Sequence, residues 1–386
     1  MFTRLPTAPF RLAPSRLGLG RAPHGRRLVR RLAGSSLLEA LTAPHGVDRY
    51  LELVLPGFSL HELRAVIVEV RRRTPGSVTL RLRPNELWRG FHAGQFVSMT
   101  VEIDGVRRTR CYSPASSQHA GDGELELTVR SHPEGLVSQY LRENARPGMV
   151  VELAQADGAF VLATPHPERL LLISGGSGIT PVLSMLRTLC DEGHDMPVTF
   201  LHYACHERDV PYRAELDELH RRHRNVRVAY VYTREPGGRP HGHLTRAQLH
   251  TIDRHYRQAE VYVCGPPGLI AAARALWARD GHEERVHTES FLPPRLLMTP
   301  GEVSGSVRFM ASGVEVAAAN MTLLEQAEQV GLSPAYGCRL GICHTCTTRK
   351  LAGQVRNVFS GELSSCEEQE IQICVSVPSG DVELAL

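Results

Sequence analysis

The period of the hydrophobic positions along this chain changes twice. Between residues 63 and 162 the apolar positions come in short runs, several alternating with polar residues. The runs 63–72, 78–83, 95–103, 124–129 and 150–154 each predict a strand, and only 136–143 predicts a helix. Strands at that spacing, divided by turn residues, predict a small antiparallel barrel. From residue 169 the runs lose their alternation. Residues 170–174, 198–203, 226–232 and 261–264 predict strands buried on both faces, separated by helices at 182–189, 214–222 and 269–278. That order predicts a parallel sheet with helices on both sides. Pro293-Pro294 and Pro300-Gly301 predict a linker. Beyond it lie a hairpin (306–309 and 315–318), a helix at 322–330 and a loop crowded with cysteines. The pattern shows no internal repeat. It divides the chain into a lead-in (1–60), a barrel (61–165), an α/β unit (166–295) and a C-terminal unit (302–386).

Composition narrows the chemistry. A length of 386 residues suits two or three domains, and 42% hydrophobic with 22% charged residues is the balance of a globular protein. The net charge of +3 is too small to argue for nucleic-acid binding. Lys350 is the sole lysine, so the positive charge is arginine, spread along the chain. Nine cysteines, an odd number, do not suit a secreted disulfide framework, and three of them fall between Cys338 and Cys346. That crowding fits metal ligation in a reducing compartment. No uninterrupted apolar run is long enough to span a bilayer, and the chain is read as cytoplasmic.

The lead-in carries Arg4, Arg11, Arg16, Arg21, Arg26, Arg27, Arg30 and Arg31 before the first acid, Glu39. Without an apolar core and a cleavage site it is not a secretory signal. A disordered basic tail is the plain reading; an organelle transit peptide and a segment resting on anionic lipid stay open.

Three motifs carry chemistry. Cys338, Cys343 and Cys346 have the C-x4-C-x2-C spacing, with Cys374 as a distant fourth thiol expected in a late strand. This is the plant-type [2Fe–2S] pattern: a tight loop brings three thiolates to the two irons and a remote segment brings the last. Structural zinc also takes four cysteines, but usually as two C-x-x-C knuckles, which this spacing is not. Gly337 and Gly341 let the backbone close on the sulfides, and Cys366 falls outside the pattern as an ordinary thiol.

In the second motif an apolar strand runs into Gly175, Gly176 and Gly178, with Thr180 and Pro181 opening a helix. Glycines let a dinucleotide pyrophosphate approach the backbone, and a helix N-terminus favours its charge. The third is Arg110-Cys-Tyr112-Ser113-Pro, followed by Gly135-Leu-Val-Ser138 at a helix start. An arginine and a helix N-terminus suit a flavin diphosphate, and a tyrosine can stack on a flat ring. On the residues alone, Arg110 in a surface ion pair, Tyr112 in the barrel core and Ser138 as a helix cap stay open.

In this order the motifs resemble the ferredoxin–NADP reductase superfamily, in the form that ends in a plant-type ferredoxin domain, over residues 63–386. The resemblance implies three folds: an antiparallel β-barrel binding FAD, an α/β parallel-sheet domain binding NAD(P), and an α+β β-grasp domain holding [2Fe–2S]. It implies that Arg110 binds the flavin phosphate, Tyr112 packs on the isoalloxazine and Ser113 lies near flavin N5. Val129 and Arg130 would line the flavin, and Gly135, Val137 and Ser138 would receive its pyrophosphate. Gly175, Gly176, Gly178, Thr180 and Pro181 match the nicotinamide-nucleotide loop. Cys264, Gly265 and Pro266 match a strand end beside the nicotinamide, and Glu289 with Phe291 a closing segment that brings an aromatic to the flavin. Ser113, Cys264 and Glu289 are the catalytic residues it implies.

The remaining choices concern donor and acceptor. A 2′-phosphate needs cations, and Arg208, Arg234 and Arg239 could supply them, so NADPH is expected over NADH. The segment around Gly135 and Ser138 looks more like FAD than FMN relatives. The expected route is NADPH to FAD to [2Fe–2S] to an external acceptor. The stretch from Val47 to Ser59, running into Glu62-Leu-Arg, looks like the lead-in of bacterial reductases serving membrane fatty-acid desaturases. A di-iron desaturase or hydroxylase is therefore the expected partner, with peripheral membrane contact through the basic N-terminus. Two other readings compete: the reductase component of a soluble ring-hydroxylating or demethylating oxygenase, and a non-enzymatic redox sensor. After Arg356, Glu362, Glu367, Glu368, Glu370, Asp381 and Glu383 appear with no Lys or Arg, a face that could steer toward a basic partner.

Overall fold

The computed structural model describes residues 57–121, 123–133, 135–235, 241–291, 305–337, 339, 341, 344–358 and 361–386. The basic lead-in, the proline linker, Arg239, Cys338 and Cys343 lie outside the described residues.

Six strands form the first unit: β1 (Arg64–Thr74), β2 (Ser77–Pro84), β3 (Val97–Ile103), β4 (Val106–Tyr112), β5 (Leu125–Arg130) and β6 (Val150–Leu153), with helix α1 (Leu136–Asn144) between the last two. Their order is β4-β3-β6-β1-β2-β5, all antiparallel. The ribbon closes where Ala115 N–H donates to Glu126 O at 2.7 Å. Alternation builds the core: Val97, Met99, Val101 and Ile103 point inward while Ser98, Thr100 and Glu102 point out. The sequence pattern did not predict β4. Its Val-Arg-Arg-Thr-Arg-Cys-Tyr has no fully buried residue, as befits the end of the ribbon, and only backbone pairing with β3 makes it a strand.

The second unit is a parallel sheet, β11-β10-β7-β8-β9, made of β7 (Leu170–Gly175), β8 (Val198–Ala204), β9 (Val226–Tyr232), β10 (Glu260–Cys264) and β11 (Val286–Glu289). Both faces of β7 are buried. Leu170 and Leu172 pack with α2 (Ile179–Asp191) and α3 (Arg213–Arg222), whereas Leu171 and Ile173 pack with α4 (Arg246–Ile252) and α5 (Pro267–Arg279). Helix α2 begins three residues before the predicted start, because Pro181 sits in its first turn, where a missing N–H costs nothing. The pattern missed α4 and the short edge strand β11.

The third unit is a mixed sheet, β13-β12-β16-β14-β15, curled around one helix: β12 (Ser306–Phe309), β13 (Val314–Ala317), α6 (Leu323–Gln329), β14 (Thr347–Asn357), β15 (Gln369–Gln372) and β16 (Ser376–Leu384). Leu323, Leu324 and Ala327 of α6 fill its core. The expectation that Cys374 lies in a strand is corrected: it sits in the turn between β15 and β16. Val375 N–H closes that turn on Gln372 O (3.1 Å), and Ile373 O accepts from Leu324 N–H (3.0 Å), so the apolar run that reads as a strand instead lifts the thiol out of the sheet.

The barrel and the parallel sheet are clamped by Arg187 of α2. Its guanidinium donates to Glu215 (2.6 and 2.7 Å), to Glu126 of β5 (2.9 Å) and to Ala115 O (2.6 Å). Tyr212 lies under it and is stacked from the barrel by Arg73, 4.3 Å from the ring centre.

Candidate functional site

A cleft of 480 Å³ opens between the barrel and the carboxyl edge of the parallel sheet. Thr128 and Arg130 line it from the barrel; Gly175, Gly176, Tyr203 and Leu269 line it from the sheet. This edge is where open parallel sheets receive ligands.

The glycines are there because backbones must touch. A Cβ on Gly175 would lie 2.8 Å from both Leu269 Cδ2 and Pro266 Cδ, and one on Gly178 would overlap the carbonyl of Cys264. Gly265 fits only against Gly175, where an added Cβ would sit 3.0 Å from its nitrogen. Gly176 has φ +55, and a side chain there would strike Arg130 Nη1 at 2.8 Å. The result is a glycine cradle between two loops. Behind it, a 3-10 turn over Gly176–Gly178 leads into α2, which starts at Ile179 with Gly178 as N-cap and no side-chain cap. Ile179 N–H is taken by Gly176 O and Ser177 O, so the glycine turn itself is the part left open toward the cleft. Thr180 and Pro181 are buried in that first turn.

On the barrel side, Ser113 is 2% exposed and its Oγ has no hydrogen-bond partner among the described residues. An orphaned buried hydroxyl calls for a partner atom that the fold itself does not supply. Tyr112 packs against the barrel core, and burial pushes its phenol well above the usual range. Val129 is buried and Arg130 exposed at the end of β5. Gly135 is the uncapped N-cap of α1, with Val137 buried in its first turn. Ser138 Oγ donates to Gly135 O (2.9 Å) and accepts from His132 N–H (3.2 Å), so the hydroxyl shapes the turn and does not cap the helix. Arg110 Nη1 donates to Thr109 O (2.8 Å) and to Gly337 O (3.1 Å) in the third unit.

The two sides meet at one seam. Ala115, two residues beyond Ser113, shares a core cluster with Cys264, and Phe291 packs on the same cluster. Cys264 is fully buried at the end of β10, in register with Glu289 of β11. Its Sγ donates to Glu289 Oε2 over 3.8 Å. Burial pushes the Glu289 carboxyl up to about 8, against a smaller lowering by the thiol. At neutral pH this carboxyl keeps its proton.

Arg208 and Arg234 stand at the rim, exposed, and neither is paired with a carboxylate among the described residues. The turns that carry them are tied together: Arg234 N–H donates to Cys205 O (3.1 Å) and Glu207 N–H to Glu235 Oε1 (2.9 Å). The sequence reading missed Tyr203 and His243, which also line the cleft, as does Thr233, the neighbour of Arg234. The signal for Tyr203 was available, since it ends a predicted parallel strand.

In the third unit Cys346 and Cys374 are buried, 3% and 4% exposed, in one core cluster. The loop before Cys346 is tightly curled, with φ +58 at Arg339, +73 at Gly341 and +53 at His344. A Cβ on Gly341 would lie 2.8 Å from Val375 Cγ2. Arg339 pairs with Glu328 of α6 (3.0 Å) and stacks on Tyr336, 4.0 Å from its centre. Cys366 is exposed.

The cradle, the uncapped helix starts, the orphaned hydroxyl and the curled thiol loop fit a dinucleotide, a flavin and an iron–sulfur cluster. Comparison with known proteins agrees. Residues 76–162 match the family model of the oxidoreductase FAD-binding domain, 172–275 the oxidoreductase NAD-binding domain and 309–379 the 2Fe-2S iron-sulfur cluster binding domain. An NADPH oxidoreductase of Mycobacterium tuberculosis is 36% identical over 378 residues, covering 96% of this chain and 95% of its own. A glycine betaine monooxygenase reductase subunit of Pseudomonas aeruginosa is 30% identical, over 76% of this chain and 86% of that protein. The fold is shared with phthalate dioxygenase reductase, a structure described as modular for electron transfer from pyridine nucleotides to [2Fe–2S]. The TM-score is 0.55 at 23% identity, over 84% of this chain and 98% of that one.

Proposed function

The chain belongs to the NAD(P)H-dependent flavin reductases that end in a [2Fe–2S] domain, and from that premise we propose that it takes its electrons from NADPH and delivers them to a membrane di-iron desaturase or hydroxylase. At the coarser level it is an oxidoreductase that carries electrons from NAD(P)H through FAD to [2Fe–2S], as the reductases of oxygenase systems do. The redox-sensor reading falls away, since its relatives are oxidoreductases and reductase subunits. Bound FAD supplies the exchange between a two-electron donor and a one-electron cluster.

The observation that carries the proposal is the glycine cradle, where Gly178 closes on the Cys264 carbonyl beside the Cys264–Glu289 pair; the orphaned Ser113 hydroxyl is a second polar group left for a ligand. In this reading Gly175, Gly176 and Gly178 receive the NADPH pyrophosphate, and Arg208 and Arg234 its 2′-phosphate. Arg110, Tyr112, Val129, Arg130, Gly135, Val137 and Ser138 hold the flavin. Ser113 supplies a hydroxyl at the reacting edge, while Cys264 and protonated Glu289 wall that edge from water. Hydride transfer needs alignment more than acid or base, so positioning is the protein's share. Cys338, Cys343, Cys346 and Cys374 hold the cluster.

The membrane-acceptor reading draws on two features, the basic lead-in and the acidic residues of the cluster unit. The match to the mycobacterial NADPH oxidoreductase covers 96% of the chain and so reaches into the basic lead-in, whereas the match to the betaine monooxygenase reductase covers 76%. Glu362, Glu367, Glu368 and Glu370 are exposed on the cluster unit, with Glu368 paired to Arg349. Among the described residues no helix is long and apolar enough to cross a membrane; in the proposed reading the contact is peripheral, through the basic lead-in, from the cytoplasmic face. The second reading, a soluble oxygenase component as acceptor, is favoured by relatives named glycine betaine monooxygenase reductase subunit and stachydrine N-demethylase reductase subunit.

Anaerobic addition of NADPH should bleach the flavin and then give the EPR signal of a reduced [2Fe–2S] cluster; an unbleached flavin would refute the reductase reading. Reconstitution with candidate acceptors, scored as NADPH consumed per product formed, decides between the two partners. Co-sedimentation with membranes that is lost on deleting the residues before Val47 supports the first.

A further inference from the structure

We propose that Arg110 couples the flavin site to the cluster loop, so that bound flavin and a seated C-terminal unit stabilise each other. The inference rests on the proposed function, in which Arg110 holds the flavin phosphate.

One side-chain nitrogen joins two units. Arg110 Nη1 donates both to Thr109 O on its own strand and to Gly337 O, 227 residues further on. Gly337 is buried and immediately precedes Cys338, the first thiol of the cluster motif. A guanidinium carries five N–H donors in one plane. Nη1 uses two of them here, which leaves Nε–H and the two N–H groups of Nη2. Those three donors are the fork that takes phosphate oxygens in pairs. A single planar group therefore serves an anion and a carbonyl together without giving up either.

The contact also reaches a rigid partner. Tyr336 and Arg339 flank Gly337 and Cys338, and Arg339 is fixed by its stack on Tyr336 and its ion pair to Glu328 on α6. A pull on Gly337 is thus felt by the body of the C-terminal unit. Removing Arg110 leaves a buried carbonyl without its donor, and a phosphate on the open edge of the fork fixes the guanidinium where Gly337 needs it. By linkage, whatever flavin gains from the seated loop, the loop gains from flavin. Lysine cannot replace this arrangement, because its ammonium is a point charge with no planar fork.

The test uses the full-length holoprotein. Hydrogen–deuterium exchange of residues 332–337 is compared in wild type with FAD and after flavin removal. The expected result is exchange ~10-fold faster without FAD, with the β12–β13 hairpin unchanged. In FAD-saturated Arg110→Lys, the ratio of the cluster-reduction rate to the flavin-bleaching rate after NADPH addition should fall ~10-fold, with exchange at 332–337 raised as in flavin-depleted protein. Equal exchange with and without FAD, or an unchanged rate ratio in the saturated variant, would overturn the coupling and leave Arg110 a flavin ligand alone. Should the variant fail to fold, the wild-type comparison still decides. Wild type that neither binds FAD nor bleaches with NADPH would instead refute the underlying reading, before any variant is made.

Discussion

Cys264 Sγ lies 3.8 Å from Glu289 Oε2 at the paired ends of two parallel strands, and burial holds both groups in their protonated forms. A carboxyl whose folded pKa stands near 8, against an ordinary 4.5, binds its proton more tightly folded than unfolded. Folding is then penalised progressively as pH rises from about 4.5 to about 8, and the penalty is constant above that range. Glu289→Gln removes the ionisable proton and keeps the shape. The variant should show a higher Tm than wild type at pH 8, a difference that shrinks toward pH 5. A wild-type and variant pair with parallel Tm against pH would refute the buried carboxyl.

The cradle makes a sharper prediction. Gly178 has an ordinary φ of −66, so backbone strain is no obstacle to alanine there. The obstacle is the Cys264 carbonyl, which an added Cβ would overlap. Gly178→Ala must part the nucleotide loop from the strand-end turn. KM for NADPH should rise at least ~10-fold, equivalent to about 1.4 kcal/mol of lost binding, while FAD content stays at the wild-type level. Steady-state kinetics and the flavin-to-protein absorbance ratio read the two effects separately.

Rim specificity can be read in the same assay. Arg208 and Arg234 are exposed and unpaired among the described residues, so replacing them with glutamine breaks no ion pair in the fold. Arg208→Gln/Arg234→Gln should raise KM for NADPH by at least ~100-fold and leave KM for NADH within about twofold, since charged hydrogen bonds are worth about 1.5–3 kcal/mol each and about 1.4 kcal/mol is tenfold. Equal changes for both nucleotides would remove the 2′-phosphate role.

These sites differ in how far the sequence betrayed them. The glycines at 175, 176 and 178 and the thiol spacing are local patterns, and local patterns survive without a fold. The alternation that builds β3 and the continuous apolar run of β7 were legible for the same reason. Helix α4 was legible in principle, because Thr245 and Gln248 form a reciprocal capping box, but its seven residues are too few for a periodic signal. Strand β4 was not legible, since cross-strand backbone bonds make it and its side chains carry no pattern. Cys374 was misplaced because Ile373 and Val375 read as strand, while the turn depends on a bond from α6, fifty residues earlier in the chain. The orphaned state of Ser113, the Cys264–Glu289 pair and the reach of Arg110 to Gly337 are long-range facts that no window of sequence contains.

The clamp between barrel and sheet should be a stability determinant. Burial alone would raise the Glu126 carboxyl, but the Arg187 and Arg73 guanidiniums outweigh it and hold the group below the ordinary carboxylate range. Arg187→Met leaves Glu126 and Glu215 without their shared cation and should cost about 3–5 kcal/mol in urea unfolding. Arg187→Met/Glu126→Gln should recover part of that loss, the signature of a direct pair. The sign with pH follows: the stability from Glu126 is present above 4.5 and is lost as pH falls through its lowered folded pKa.

Four thiols out of nine are assigned to the cluster, and the fold offers a control among the others. Cys346 and Cys374 are buried in one core cluster, and Cys366 is an exposed thiol in the same unit. Thiolate ligation ties cluster retention to the first two, since a serine oxygen is a poorer iron ligand and leaves the loop without a fourth soft donor. Cys346→Ser and Cys374→Ser should each lose the [2Fe–2S] visible absorbance and the one-electron activity toward cytochrome c, yet keep NADPH-driven ferricyanide reduction by the flavin. Cys366→Ser should keep both. Loss of the cluster in Cys366→Ser, with retention in Cys374→Ser, would move the fourth ligand and with it the register of the whole cysteine loop.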